Sequence, residues 1–146
     1  MQRFHRLTIG EVRRETADCV SLAFDMPAEL DAAFRFHPGQ HLTLRAAIDG
    51  AEIRRSYSIC SALDDGELRV AVKRVPGGAF STFANERLRR GDALEVMPPA
   101  GHFGPPLEPA RAKTYLAIAA GSGITPVLSV IRTLEALAHW RVSSIR

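Results

Sequence analysis

What constrains this chain most is its hydrophobic period. Through most of its first hundred residues, apolar side chains recur at alternate positions in short runs, each closed by a turn signal. Val20, Leu22 and Phe24 mark one face of a run from Cys19 to Asp25, and Leu68, Val70 and Val72 mark one face of Glu67–Arg74. Phe4–Val12 alternates loosely. Met26-Pro27 ends the second run, and Ala28–Phe34 has the look of a short helical turn. His37-Pro38-Gly39-Gln40 is turn chemistry before a strand around His41–Ala47, and Asp49-Gly50 is a hairpin signal leading into Ile53–Ser61. Short antiparallel strands with regular corners predict a closed or nearly closed barrel.

The period then changes. Ser81 reads as the N-cap of a short helix carrying Phe83, Arg87 and Leu88, stopped at Arg90-Gly91. Asp92–Met97 is strand-like until Pro98-Pro99, and His102–Lys113, with three prolines, reads as an irregular crossing. From Thr114 an apolar strand, a Gly-rich turn and a helix follow, with Thr125 as N-cap, Pro126 at the first helical position, and Val127, Leu128, Ile131, Leu134 and Leu137 on the buried face. One strand and one helix do not make a doubly wound sheet. The expectation is a barrel domain over residues 1–112 and the opening of an incomplete α/β domain over 113–146.

Composition narrows the classes. Of 19 basic residues only Lys73 and Lys113 are lysine, and the net charge is +3. The arginines are scattered among 16 acids and aromatic content is 7%, which leaves few stacking platforms and argues against nucleic acid. The longest apolar run, Tyr115–Ala120, is too short for a bilayer, and the N-terminus has no signal-peptide core. A cytoplasmic protein with no membrane partner is expected. Cys19 and Cys60 are too few for a disulfide framework or for an iron–sulfur cluster, which takes four ligands. His37 and His41 read as turn and surface residues, so no metal site is expected.

Within Ile53–Ser61, alternation sets Arg55 and Tyr57 on one face, with the cation about 7 Å along the strand from the ring. That pair suits a ligand with a phosphate at one end and a flat ring at the other. Taken alone, it better suits an edge strand with solvated arginines and a half-buried tyrosine. Two Gly-rich corners follow: Arg74-Val-Pro-Gly-Gly-Ala-Phe-Ser81 and Ala119-Ala-Gly-Ser-Gly-Ile-Thr-Pro126. Gly77 and Gly78 let a backbone approach phosphate oxygens beside the free N–H groups of a helix start. A plain strand-to-helix connection would also use them.

These three motifs, in this order, resemble the ferredoxin–NADP reductase superfamily, whose flavin domain carries Arg-x-Tyr-Ser, a Gly-rich turn ending in Ser, and a Gly-x-Gly-x-x-Pro turn opening the nicotinamide domain. The wording Arg-Ser-Tyr-Ser-Ile-Cys-Ser and Gly-Ser-Gly-Ile-Thr-Pro is similar to that of an oxygenase-reductase branch serving phenylacetate degradation, and the resemblance covers roughly Phe4–Leu137. It implies an all-β fold: an antiparallel Greek-key six-stranded barrel with one short helix, followed by the first strand and helix of a nucleotide-binding domain. It also implies an NAD(P)H-dependent oxidoreductase that passes electrons through FAD to an iron–sulfur partner of an oxygenase system. A 2Fe-2S cluster is expected only in the part of a full-length family member that this sequence lacks.

Residue by residue, the resemblance puts Arg55 on the pyrophosphate, Tyr57 on the isoalloxazine and Ser58 near flavin N5, with Ser56 beside them. Alternation sets Ser58 on the face opposite Tyr57, which requires a bend or a strand end at that point. Val72, Lys73 and Arg74 match the segment whose backbone flanks the ribityl chain and the pyrophosphate, an ordinary strand being the alternative. Gly77, Gly78, Ala79, Phe80 and Ser81 form the phosphate turn, with a core role open for Phe80. Gly101 and Phe103 fall where the family approaches the ring. Gly121, Ser122, Gly123, Thr125 and Pro126 match the turn at the nicotinamide end, with Thr125 close to the flavin. Pro126 stands where the dinucleotide fingerprint has its third glycine. A module that binds flavin without turnover is the second reading.

Overall fold

The computed structural model describes residues 3–104, 106–108 and 114–137. Six antiparallel strands form one sheet: β1 (His5–Thr16), β2 (Cys19–Asp25), β3 (His41–Ile48), β4 (Ala51–Ser58), β5 (Leu68–Lys73) and β6 (Ala93–Val96), in the spatial order β4-β3-β6-β1-β2-β5. Helix α1 (Ala79–Glu86) lies between β5 and β6, and α2 (Ile124–Leu137) follows a single 3-10 turn at Gly121–Gly123. No described helix is long and apolar enough to cross a membrane. The expected junction at 112/113 and the tail from residue 138 lie outside the described residues.

The alternating faces meet as the pattern requires. Leu7, Ile9, Val20, Leu22, Leu42, Leu44, Val70, Val72 and Val96 are all within 2% of full burial, and Phe80, Ala84 and Leu88 cap this core from the α1 side. The sheet curls without closing along its length. Its edge strands, β4 and β5, meet through the isolated bridge Ile59↔Val70 and the hydrogen bond from Cys60 N to Arg69 O (2.9 Å). The expected barrel is therefore a six-stranded sheet stitched at one point.

Two corners show why glycine occupies them. Asp49 and Gly50 both have positive φ (49° and 83°), which makes the two-residue β3–β4 hairpin a type I′ turn whose twist matches the strands it joins. At Gly10 the register of β1 on β2 shifts, and an added Cβ would lie 2.1 Å from Asp25 Oδ1, so the bulge admits no side chain.

Outside the core, β2 and β5 are covered on their second face as well. Glu11 sits opposite Ala23, and Ala23 opposite Arg69, in one row across three strands. Because Ala23 is small, the Arg69 side chain crosses it to pair with Glu11, while also binding Glu67 (2.6 Å) and Ser21 Oγ (2.8 Å). Arg69 is 3% exposed, and these acceptors hold its pKa above the ordinary arginine value, the Glu67 hydrogen bonds contributing most. Ser21 and Ala23 are buried beneath it, although they stand on the face that alternation assigns to solvent.

Four expectations about where elements begin and end need correction, and a fifth about a buried face: α2 buries Pro126, Ser129 and Thr133 rather than Val127, Leu128, Ile131, Leu134 and Leu137. Strand β4 covers 51–58 rather than 53–61, because from Ile59 the chain leaves β3 to bridge β5. Helix α1 starts at Ala79 with Gly78 as N-cap, not at Ser81. Helix α2 starts at Ile124, so Thr125 and Pro126 lie inside it rather than at the cap and first position. No strand forms over 114–120: a parallel strand needs neighbours, and the described residues provide none, leaving Leu116 and Ile118 81% and 84% exposed.

Candidate cofactor site

Strand β4 presents Arg55 and Tyr57 opposite Leu44 and Leu42, on the leucine side of the β3–β4 pair. Tyr57 is half-buried and its ring meets that of Phe80, at the start of α1, with centroids 5.7 Å apart and planes tilted by 34°. Burial pushes the tyrosine pKa up to about 12 against the opposing effect of Arg55, so the phenol stays neutral and protonated at physiological pH. Arg55 is exposed. Its Nη1 donates to the Arg54 carbonyl (2.7 Å), and among the described residues it forms no ion pair, whereas neighbouring Arg54 is paired with Glu52 (2.5 Å).

The other face of β4 carries Ser56 and Ser58, opposite Thr43 and His41. The Ser56 and Thr43 hydroxyls share a hydrogen bond of 3.0 Å. Ser58 is the last residue of β4, and Ile59, next in the chain, donates to Gln40 O (2.9 Å) while bridging to Val70. The strand end that Ser58 requires is thus present at that residue. His41 and Gly101 pack closely at the same end: a Cβ on Gly101, whose φ is +89°, would lie 2.7 Å from the His41 ring.

The first glycine corner is a type II turn. Gly78 N donates to Val75 O (2.9 Å), Pro76 fills the second position, and Gly77 has φ +73° at the third, where only glycine is unstrained. Ser81 braces the turn from inside the helix, accepting from Val75 N (3.0 Å) and donating to Gly78 O (3.2 Å). A Cβ on Gly78 would lie 2.6 Å from that hydroxyl, so its glycine answers to Ser81, while Gly77 faces open space. The start of α1 carries no side-chain cap, which leaves its first N–H groups available to an anion. Phe80 is 1% exposed and Val72 fully buried: both side chains belong to the core, and only their backbones can serve a ligand. Lys73 and Arg74 are exposed and pair with Asp18 (3.7 Å) and Glu86 (3.1 Å).

A residue the motifs did not single out holds this corner to the sheet. Asn85 is 4% exposed; its Nδ2 donates to Val72 O (3.0 Å) and Ser81 O (2.9 Å), and its Oδ1 accepts from Arg14 (3.2 Å). An asparagine one turn beyond Ser81 on a short helix was the available signal.

The structure therefore joins the first motif to the second through the Tyr57–Phe80 contact. A groove of about 210 Å³ between the β3–β4 hairpin and α1 takes in Gly77, Gly78 and Ala79, but not Arg55, Tyr57 or the Gly121–Gly123 turn. It is smaller than pockets that enclose a ligand, about 300–1,000 Å³, so this groove by itself holds at most part of a dinucleotide. The third motif joins less directly. Gly121, Ser122 and Gly123 are exposed, and Thr125 donates to Ser122 O (3.0 Å) within its own turn. Helix α2 reaches the loop that follows β4 through Ser129 Oγ, which donates to Ser61 O (2.6 Å). Among the described residues no cluster of His, Cys, Asp and Glu could hold a metal ion. The residues present fit FAD: an arginine without an acidic partner among the described residues, a neutral aromatic beside it, and an open backbone corner at an uncapped helix start.

Comparison with known proteins agrees. The chain is 54% identical over 133 residues to one component of the 1,2-phenylacetyl-CoA epoxidase of Escherichia coli strain K12, covering 91% of this chain and 37% of that protein. It is 40% identical to the ferredoxin reductase component of 3-ketosteroid-9-alpha-monooxygenase from Rhodococcus rhodochrous, covering 87% and 36% of the two chains. Among solved structures, phthalate dioxygenase reductase, described as a modular structure for electron transfer from pyridine nucleotides to [2Fe-2S], superposes with a TM-score of 0.75 at 34% identity, over 91% of this chain and 40% of that one. The chain thus spans little more than a third of the length of the curated relatives it matches. The family described as the oxidoreductase FAD-binding domain matches residues 6–104, from β1 to just past β6, and the chain belongs to it, as a flavin domain of the ferredoxin–NADP reductase superfamily.

Proposed function

We propose that this chain holds FAD along β4 and the start of α1, and that the protein it represents passes electrons from NAD(P)H through FAD to an iron–sulfur protein or domain serving an oxygenase component. The carrying observation is the Tyr57–Phe80 contact, which sets the aromatic of the Arg-x-Tyr-Ser strand against the helix opened by Gly77-Gly78. FAD supplies the redox chemistry when bound; the protein supplies binding, orientation and electrostatics.

In this reading Arg55 and the N–H groups around Gly77, Gly78, Ala79 and Ser81 neutralise the pyrophosphate. Tyr57, kept neutral by burial, lies against the ring system, and Ser56 holds the strand edge through Thr43. Ser58 offers a hydroxyl at the strand end; among the described residues no hydrogen-bond partner occupies it. The backbone of Val72, Lys73 and Arg74 flanks the sugar chain, and Gly121, Ser122, Gly123, Thr125 and Pro126 receive the nicotinamide nucleotide. Residues 1–112 form the flavin domain, and 113–146 open the nucleotide domain.

One second reading is a module that binds flavin without turnover of its own, favoured by the Gly121–Gly123 turn, which is exposed and lies outside the groove at Gly77–Ala79. Purified chain separates the two. Yellow protein that bleaches on addition of NADH or NADPH without oxygen supports the reductase; colour without bleaching supports the binding module. A chain that takes up no flavin from solution refutes both.

A further inference from the structure

Helix α2 docks by its polar side. Pro126, Ser129 and Thr133 fall on one stripe of the helix and are its buried residues. The apolar face that sequence periodicity assigns to the interior is the less buried one: Leu128 and Leu137 are 37% and 49% exposed, and Val127, Ile131 and Leu134 are intermediate. Ser129 and Thr133 are themselves fully buried.

Their hydroxyls converge on one loop. Ser129 Oγ donates to Ser61 O (2.6 Å), and Thr133 Oγ1 accepts from Leu63 N (3.2 Å). Between them, Arg132 reaches Asp65 Oδ1 (2.7 Å), whose other oxygen accepts from Ala62 N (2.7 Å). The loop is anchored in turn. Ser61 is fully buried, and its Oγ accepts from Arg69 N (3.1 Å) on β5. Ser61 also lies three residues beyond Ser58, where β4 ends. Apolar faces tolerate sliding, whereas hydroxyl hydrogen bonds weaken steeply away from their preferred length and angle, so this contact fixes the position of α2 as well as its attachment.

We infer that Ser129 and Thr133, supported by Arg132, are positioning residues: they latch α2, and with it the Gly121–Pro126 turn, to the loop that leaves the Arg55–Ser58 strand. The purpose of the latch, to set the nicotinamide turn at a fixed place beside the flavin strand, rests on the function proposed above. The latch itself does not.

Hydrogen exchange on the 146-residue chain without flavin tests it. The amides to follow are Leu63, which donates to Thr133, and Gly123 and Ile124, which are bonded within the turn. The double variant Ser129→Ala/Thr133→Val should exchange at least tenfold faster at all three, with β1–β3 within twofold of wild type. Thr133→Ser, which keeps the hydroxyl, should hold the wild-type rate at Leu63. Unchanged exchange at Gly123 and Ile124 in the double variant overturns the latch. Should that variant unfold as a whole, Arg132→Gln, on the exposed tether, decides: faster exchange at Gly123 and Ile124 supports the latch, and an unchanged rate overturns it. In flavin-loaded protein, the latch variants should alter the visible circular dichroism of the flavin while FAD affinity stays within twofold; an unaltered signal overturns the assigned purpose. A chain that takes up no flavin refutes the function proposed above and leaves the exchange result to decide the latch.

Discussion

Tyr57 separates ring contact from hydroxyl chemistry. Its phenol is neutral and its ring rests on Phe80, so what it can offer a flavin is an aromatic surface. Removing that surface forfeits an aromatic pair of about 0.5–1.5 kcal/mol together with the area it covered. Tyr57→Ala should therefore weaken FAD binding about tenfold or more in a fluorescence titration, while Tyr57→Phe stays within about threefold. Equal losses would transfer the role to the hydroxyl. Arg55 answers to a different part of the ligand. Arg55→Ala should weaken FAD by a larger factor than riboflavin, which has no pyrophosphate; equal factors would remove the residue from the phosphate site. The pairing of Arg55 and Tyr57 on one face was legible because a strand's period is fixed. The true partner of Ser81 was not. Its motif position says phosphate, whereas its hydroxyl is engaged with Val75 and Gly78, a contact that exists only once the turn has closed.

At the scale of elements, the row Glu11–Ala23–Arg69 ties β1, β2 and β5 together on the outer face. An exposed pair such as Arg13–Glu15, with side chains 53% and 37% exposed, contributes little, about 0–1 kcal/mol. Arg69 is nearly buried, and its loss leaves Glu67 and Glu11 without their shared cation, while Ser21 keeps its bond to Glu15 (2.6 Å). Urea unfolding should show Arg69→Ala destabilising by about 2–4 kcal/mol and Arg13→Ala by less than about 1 kcal/mol. Comparable losses would mean that the buried network is no tighter than a surface pair. Alternation could not announce this network, because it assigns Arg69 to solvent; only the register that places Ala23 between Glu11 and Arg69 makes the crossing possible. The same limit applies to α2. Its apolar period was legible and its length nearly so, but the buried face depends on which surface is nearby, and here that surface is a loop rich in hydrogen-bonding groups.

For the whole molecule, the pattern of strands and corners was largely readable. Strand β2 falls on the predicted residues, and the hairpin at Asp49-Gly50 and the strand before Pro98 appear where turn chemistry puts them. What the pattern did not contain is where the edges of the sheet meet, at Ile59 and Val70, and how little of their length they share. Charge sets the acid limit of the assembled fold. Hydrogen bonds to their arginine partners hold Glu67 and Glu95 below the ordinary value of 4.5, and Ser21 does the same for Glu15. A carboxyl whose pKa is lower in the folded than in the unfolded chain binds fewer protons when folded. Its stabilisation is therefore complete above about pH 4.5 and is lost as pH falls through the folded value. Thermal unfolding should show a midpoint that is level above that pH and declines below it, and Glu67→Gln should lower the plateau and flatten the decline. A midpoint that rises on acidification would contradict the assignment.

The segment just before the Gly121 turn has a practical consequence. Leu116 and Ile118 stand in an apolar stretch that no described strand covers, and such stretches readily stack onto copies of themselves. Concentrated solutions should cloud or gain light-scattering mass with time, and Leu116→Lys/Ile118→Lys should keep them clear without moving the unfolding midpoint of the barrel. Storage behaviour would then be governed by two residues outside the six-stranded sheet.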